Sequence, residues 1–339
     1  MMKNTLLTAG IGAVLLGVLA LVLLVFPWFG PDSFAYDLAI RVAINAVVVI
    51  GLNLLFGYAG QISLGHAAFF GFGAYASAIL TTHAGWPALA ALVAGAVATA
   101  VLAFVVGRPI LRLVGHHLAM ATLSLGLIAT IVFNNEMRWT GGSDGMAVPP
   151  LGAFGWTLSG EPAWYALAAA VLFLATWAAS NLVESPAGRA LQAIRGSEVA
   201  ARTVGIDAAR FKTRVFVLSA VLASVMGSLM AHYVGFLTPA AAGLNRSVEF
   251  VMMVVLGGTA SVFGSIVGAG VITLLPQLLH AFEAWETLLL GLILTVSMIF
   301  MRAGIVPTLR AAVAGRYRRI RGGKSAQLRG TADGSRRQA

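Results

Sequence analysis

Residues 184–214, ESPAGRALQAIRGSEVAARTVGIDAARFKTR, form the one long hydrophilic segment between apolar runs of this chain. They read as two short helices joined at an elbow. Ser185 caps the first, Pro186 occupies its opening position and Gly196 ends it; Ser197 caps the second, with Glu198 in its first turn and Gly205 after its end. Glu198 stands four residues before Arg202, the favourable direction for an ion pair on a helix. Ala200, Ala201 and Val204 leave a small, largely apolar face for a partner. Among membrane-spanning segments such an elbow is a docking surface for something soluble; an ordinary cytoplasmic loop is the plainer alternative.

The flanks decide the fold class. With 59% hydrophobic and 10% charged residues and a mean hydropathy of +0.90, the chain is far more apolar than a soluble domain requires. The reading is an all-α, polytopic integral membrane protein of about ten transmembrane helices, near 6–26, 37–56, 63–82, 87–106, 117–135, 162–180, 214–236, 248–259, 262–280 and 286–301. Residues 1–301 then make the transmembrane domain, with the elbow at 184–214, and residues 302–339 a basic, disordered cytoplasmic tail held at anionic headgroups. The run from Leu6 to Phe26 is too long for a signal-peptide core and is read as a retained span. The eighth span is short for a full crossing, which also permits a re-entrant half-helix; charge parity argues for a crossing.

Orientation follows from charge. If Lys3 is cytoplasmic, these spans leave all but Arg41, Arg138 and Arg246 of the 22 basic residues on the same side, while Asp32, Asp37, Glu136, Asp144, Glu161, Glu249, Glu283 and Glu286 fall outside. That bias is the positive-inside pattern, with both termini cytoplasmic; it accounts for the net charge of +10 without nucleic acid. Disulfides are excluded, because there is no cysteine.

Two Gly-interrupted apolar segments occupy comparable places in the two halves: 51–80, with Gly57 and Gly60, and 251–275, with Gly257, Gly258 and Gly264. Unwound backbone at membrane depth is tolerated where protein or water satisfies it, as along a translocation pathway. Close packing of helices through small residues uses glycine equally well. In the first segment Gln61, Ser63 and His66 are the polar side chains, followed by aromatics that include Phe69 and Tyr75, a candidate gate. His66 fits hydrogen-bonded structure better than a proton relay. Outside, the turn Gly141, Gly142, Ser143, Asp144 and Gly145 stands in the longest loop of that face and is placed to meet an external partner. Trp28, Trp139, Trp156 and Trp164 are read as an interfacial belt. No catalytic residue, metal site or cofactor is expected, since no carboxylate pair, ligand-spaced histidine set or serine elbow occurs. Gly323-Lys324-Ser325 lacks the leading glycine of a phosphate loop, because Arg318 stands there.

Several blocks carry a resemblance. Residues 53–71, NLLFGYAGQISLGHAAFFG, with His117–Leu123, Thr140–Gly145, Ser185–Arg189 and Met253–Gly258 in the same order, resemble the permease subunits of branched-chain amino acid ABC importers of the LivM type. The resemblance implies a heteromeric importer: a second, LivH-type permease, two cytoplasmic ATPases and a periplasmic binding protein in a bacterial inner membrane. It also implies that Glu198-Val199-Ala200-Ala201, followed by Gly205-Ile206-Asp207, is the coupling motif that docks into an ATPase cleft. Ser185, Pro186, Arg189, Gly196, Glu198, Ala200, Ala201, Gly205 and Asp207 are thus the candidate coupling residues. Importers of urea, short amides or aromatic acids share these blocks and remain an alternative. An ATP-independent secondary transporter requires an ionisable residue at mid-membrane, where only His66 is expected. Arg41 and the Arg-rich tail have no counterpart in the resemblance.

Overall fold

Most of the chain is helical because long apolar runs leave the backbone no other partner than itself. A computed structural model describes residues 2–113, 115–153, 156–279, 288, 291–292, 295 and 304–308. The expected tenth span and nearly all of the basic tail lie outside the described residues.

The helices are α1 (Met2–Val25), α2 (Ser33–Asn53), α3 (His66–Thr82), α4 (Ala88–Ile110), α5 (His116–Asn135), α6 (Met137–Thr140), α7 (Glu161–Glu184), α8 (Pro186–Gly196), α9 (Glu198–Thr203), α10 (Ala208–Val234), α11 (Leu244–Gly257) and α12 (Val262–Leu279). Two short antiparallel pairings join β1 (Met146–Ala147) to β4 (Phe236–Leu237) and β2 (Gly152–Ala153) to β3 (Trp156–Thr157). Among the described residues, five helices are long and apolar enough to cross a membrane: Ser33–Tyr58, which includes a π-helical turn after α2, together with α4, α5, α7 and α10.

α2 is the axis. Every residue from Ala43 to Asn53 is buried, and α7, α10 and α12 pack around it. Such a helix is apolar on all sides because it meets protein on all sides. α4 and α5 lie at the periphery and expose Val93, Val97, Val101, Met120, Leu127 and Ile131, as lipid-facing helices must. Trp164 is buried against Tyr233 and leaves the expected belt, whereas Trp28 and Trp139 are exposed.

Two crossings are only partly helical. After the π turn, residues 59–65 run without helix, and α3 begins at His66 beside Ser219, well inside α10. α3 and α10 then run parallel, pairing Gly73 with Ser228 and Ser77 with His232. Their backbones approach closely, since a Cβ at Gly73 or Gly227 would strike the carbonyl oxygen of Ser224 or Phe70. Seven residues can reach at most about 23 Å, and this turning stretch brings the chain from Gly57 to the start of α3 inside the bundle. The second case enters from the opposite end. After β4, the 3-10 turn Pro239–Ala242 descends until buried Ala242 lies on Gly71, and α11 starts two residues later. α11 has 14 residues and extends roughly 21 Å, which is why the apolar run read as the eighth span is short; the segment before it is irregular.

Candidate functional site

The elbow forms as its caps dictate. Ser185 Oγ accepts from Gly188 N–H at 3.3 Å, Ser197 Oγ from Ala200 N–H at 3.2 Å and Asp207 Oδ1 from Arg210 N–H at 3.1 Å, so each of α8, α9 and α10 opens on a side-chain cap. Pro186 opens α8 and Gly196 is its last residue. Arg189 folds back to donate to the Glu184 carbonyl at 2.9 Å. Gly205, at φ +83°, turns the chain after α9. Replacing it with alanine puts a Cβ into a left-handed conformation at a cost of about 1 kcal/mol, and amide exchange in α9 is expected to quicken about fivefold.

Glu198 does more than pair with Arg202 at 2.7 Å. It also accepts from Lys212 Nζ, whose side chain is 3% exposed. Partial burial pushes the Glu198 pKa up, but the hydrogen bonds and charges of Lys212 and Arg202 outweigh it and hold the carboxyl below its ordinary value. Ala201 corrects the expected docking face. It is buried against Ile194 and Ala208 and fastens α9 to the bundle. The outward face is made by Val199, 75% exposed, Ala200 and Val204, 74% exposed.

The elbow and the two Gly-interrupted segments meet. Arg195 of α8 donates to the Gly57 carbonyl, and Gly60, at φ +69°, lies 3.2 Å from the Arg195 side chain at its Cβ position. Asn53 ties this turn to the second break: its amide donates to Ser265 Oγ at 2.8 Å and to the Ser261 and Gly258 carbonyls at 2.9 and 3.3 Å, while its Oδ1 accepts from Ala260 N–H at 2.9 Å. Ala260 holds a positive φ of +61°, a strained conformation that persists because Asn53 fixes its amide. Gly258 has φ +117° and leaves room for Gly304. A groove of about 400 Å³ lined by Tyr58, Gln192, Arg195, Gly196 and Ala260 opens at this junction.

Gly257 and Gly264 are close-packing positions, each of whose Cβ atoms would meet the other's carbonyl oxygen. Phe69, between Phe216 and His66, and Tyr75, stacked on Phe133 at 4.4 Å, are fully buried core in this conformation. Tyr75 Oη shares one feature with the stretch leading to α3: it and Gln61 Oε1, Ser63 Oγ and His66 Nδ1 are buried without a partner among the described residues. Unpaired buried polar atoms are costly, so they mark a place where function competes with packing.

In the loop after α6, Gly141, Gly142 and Gly145 all take positive φ, and the 3-10 turn Gly142–Asp144 turns Ser143 and Asp144 into solvent. Thr140 Oγ1 braces the turn by donating to the Phe133 carbonyl at 2.8 Å. Arg41, unexplained in the sequence, pairs with Asp37 at 2.8 Å, and Tyr233 donates to the same carboxylate at 2.8 Å.

The charge inventory at mid-depth needs one correction. Arg246 and Glu249, expected near the outer surface, stand on the first turns of α11, and Arg246 Nη2 donates at 2.6 Å to Asn45, midway along the 26-residue span Ser33–Tyr58. Sequence reasoning misplaced them because the irregular segment before α11 carries them inward. It also passed over Asn53, Arg195 and Lys212, for which the only signal was a polar residue beside an apolar run.

Comparison with known proteins agrees with this architecture. A family profile described as the permease component of branched-chain amino acid transport systems matches residues 34–301. The high-affinity branched-chain amino acid transport system permease protein LivM of Escherichia coli is 31% identical, over 86% of this chain and 75% of that protein. The LivM protein of Salmonella typhimurium is 30% identical over the same shares, and the LivH permease protein of Escherichia coli 25% over 71% of this chain and 83% of its own length. No solved structure matches the chain. With five helices long and apolar enough to cross a membrane among the described residues, the chain is a multi-pass membrane protein, and it belongs to the branched-chain amino acid transport system permease component family.

Proposed function

We propose that this chain is a LivM-type permease subunit that carries leucine, isoleucine and valine inward through a bacterial inner membrane, with a LivH-type second permease beside it. ATP hydrolysis belongs to two cytoplasmic ATPases docked on the elbow, and a periplasmic binding protein delivers substrate at the turn Gly141–Gly145. Both termini lie in the cytoplasm. One observation carries the reading: Val199 and Ala200 of α9, with Val204 after it, form an exposed apolar face while Arg195 of α8 ties the elbow to Gly57, so a push on the elbow reaches the junction of both breaks. Closure of the ATPases on ATP then shifts α8, and the turns at Gly57–Gly60 and Gly258–Ser261 alternate the pathway between the two sides.

The test acts on the outer face alone. In the co-expressed complex, Val199→Asp with Val204→Asp is expected to strip the ATPases from the purified permeases and to lower ATP-driven leucine uptake into vesicles at least tenfold, with the permease pair intact on gel filtration. ATPases that still copurify with this variant would remove the elbow from the coupling path. Calorimetry on the cognate binding protein reads the substrate range directly.

A further inference from the structure

We infer that Arg246 and Glu249 form a half-open site for the charged head of a zwitterionic substrate, at mid-depth, where the first turns of α3 and α11 meet; this rests on the importer reading above. The two helices begin in the middle of the bundle and run apart, and Ala67 N–H of α3 donates to Ser247 Oγ of α11 at 3.0 Å. Arg246 lies in the first turn of α11. Its Nη1 donates to Glu249 Oε2 at 2.7 Å and its Nη2 to Asn45 at 2.6 Å, and the guanidinium stacks 4.8 Å from the Phe250 ring centroid. These contacts aim the fork without exhausting its N–H groups, and Glu249 meets Arg246 through Oε2, with no partner to Oε1 among the described residues.

Exposure gives the pair its meaning. The side chains are 22% and 40% exposed at the depth of Asn45, where an ion pair turned toward hydrocarbon is strongly unfavourable. The surface beside it therefore faces water or a ligand. An Arg fork recognises a carboxylate in two-point geometry, Glu249 recognises an ammonium, and the flanking Leu244 and Val248, each 39% exposed, receive an alkyl group. Site and zwitterion are each neutral overall, so a neutral amino acid exchanges one internal ion pair for two intermolecular ones with no net charge brought to mid-depth. His66, the first residue of α3, adds a fully buried ring whose Nδ1 has no partner.

The experiment uses the whole complex with its binding protein in vesicles of phosphatidylethanolamine and phosphatidylglycerol, with leucine as probe and uptake and ATP hydrolysis measured together. Glu249→Gln leaves Arg246 its Asn45 and Phe250 contacts, so the chain folds; uptake is expected to fall at least tenfold while ATP hydrolysis stimulated by the binding protein stays within about twofold. The double variant Arg246→Gln with Glu249→Gln is expected to transport no better. If the pair only neutralises itself, the double variant instead recovers uptake toward the wild-type level, and the inference is overturned. Unchanged uptake by Glu249→Gln overturns it as well. A wild-type complex that carries no leucine at all would bring down the importer reading, and this site with it.

Discussion

Asn53→Ala is expected to cost about 3 kcal/mol or more and to abolish uptake, because one side chain, at the head of the first Gly-interrupted turn, satisfies the buried polar groups of the second. Truncation leaves the Ala260 amide, the Ser261 and Gly258 carbonyls and Ser265 Oγ to find other partners in a buried place, and an unsatisfied buried group costs about 1–3 kcal/mol. Ala260 then loses the contact that holds its left-handed backbone. Asn53→Asp discriminates the cause. It keeps an acceptor for Ala260 but turns the donating amide into a carboxylate facing two carbonyl oxygens, so it is expected to be worse than alanine although nearly the same shape. Gly57→Ala reaches the same junction from the other side, since its Cβ would meet Asn53 Oδ1 and the Ala260 amide. Thermal melting of the detergent-purified chain, read beside uptake, checks all three; an Asn53→Asp variant as stable as wild type would mean that the junction does not hold the breaks together.

Glu198 gives the second large effect. Neutralising it by Glu198→Gln strands Lys212, whose side chain is 3% exposed, and breaking a buried pair from one side costs roughly 3 kcal/mol. The elbow is expected to detach, seen as protease cleavage between α8 and α10. Replacing both partners, Glu198→Gln with Lys212→Met, removes the lone charge and is expected to recover most of the stability. The pH dependence has a definite sign. A folded-state pKa held below the ordinary value means that the stabilisation is present above the ordinary carboxylate range and is lost as pH falls through the lowered value. Protease resistance of the elbow should therefore fall on acidification in the wild type and stay flat in the double variant.

These effects bear on what a sequence can reveal. The caps of the elbow were legible because they are local: Ser185 and Ser197 each act on an amide three residues away, and Gly205 on its own backbone. Apolar run length located, for the same reason, the five described helices that are long enough to cross a membrane. Ala201 was misread because a six-residue helix presents several small residues, and only the position of Ile194 and Ala208 decides which one turns inward.

The amino-acid order alone therefore settled an all-helical membrane chain with a capped hydrophilic elbow, because length, capping and hydropathy are properties of neighbours. Tertiary structure decided where the broken segments end. It brought Arg195 to Gly57 and Asn53 to Ala260, and it drew Arg246 and Glu249 from an expected outer edge to the depth of Asn45. Those contacts join residues far apart in the chain, and their energies come from burial and from unpaired backbone groups that exist only once the bundle has closed.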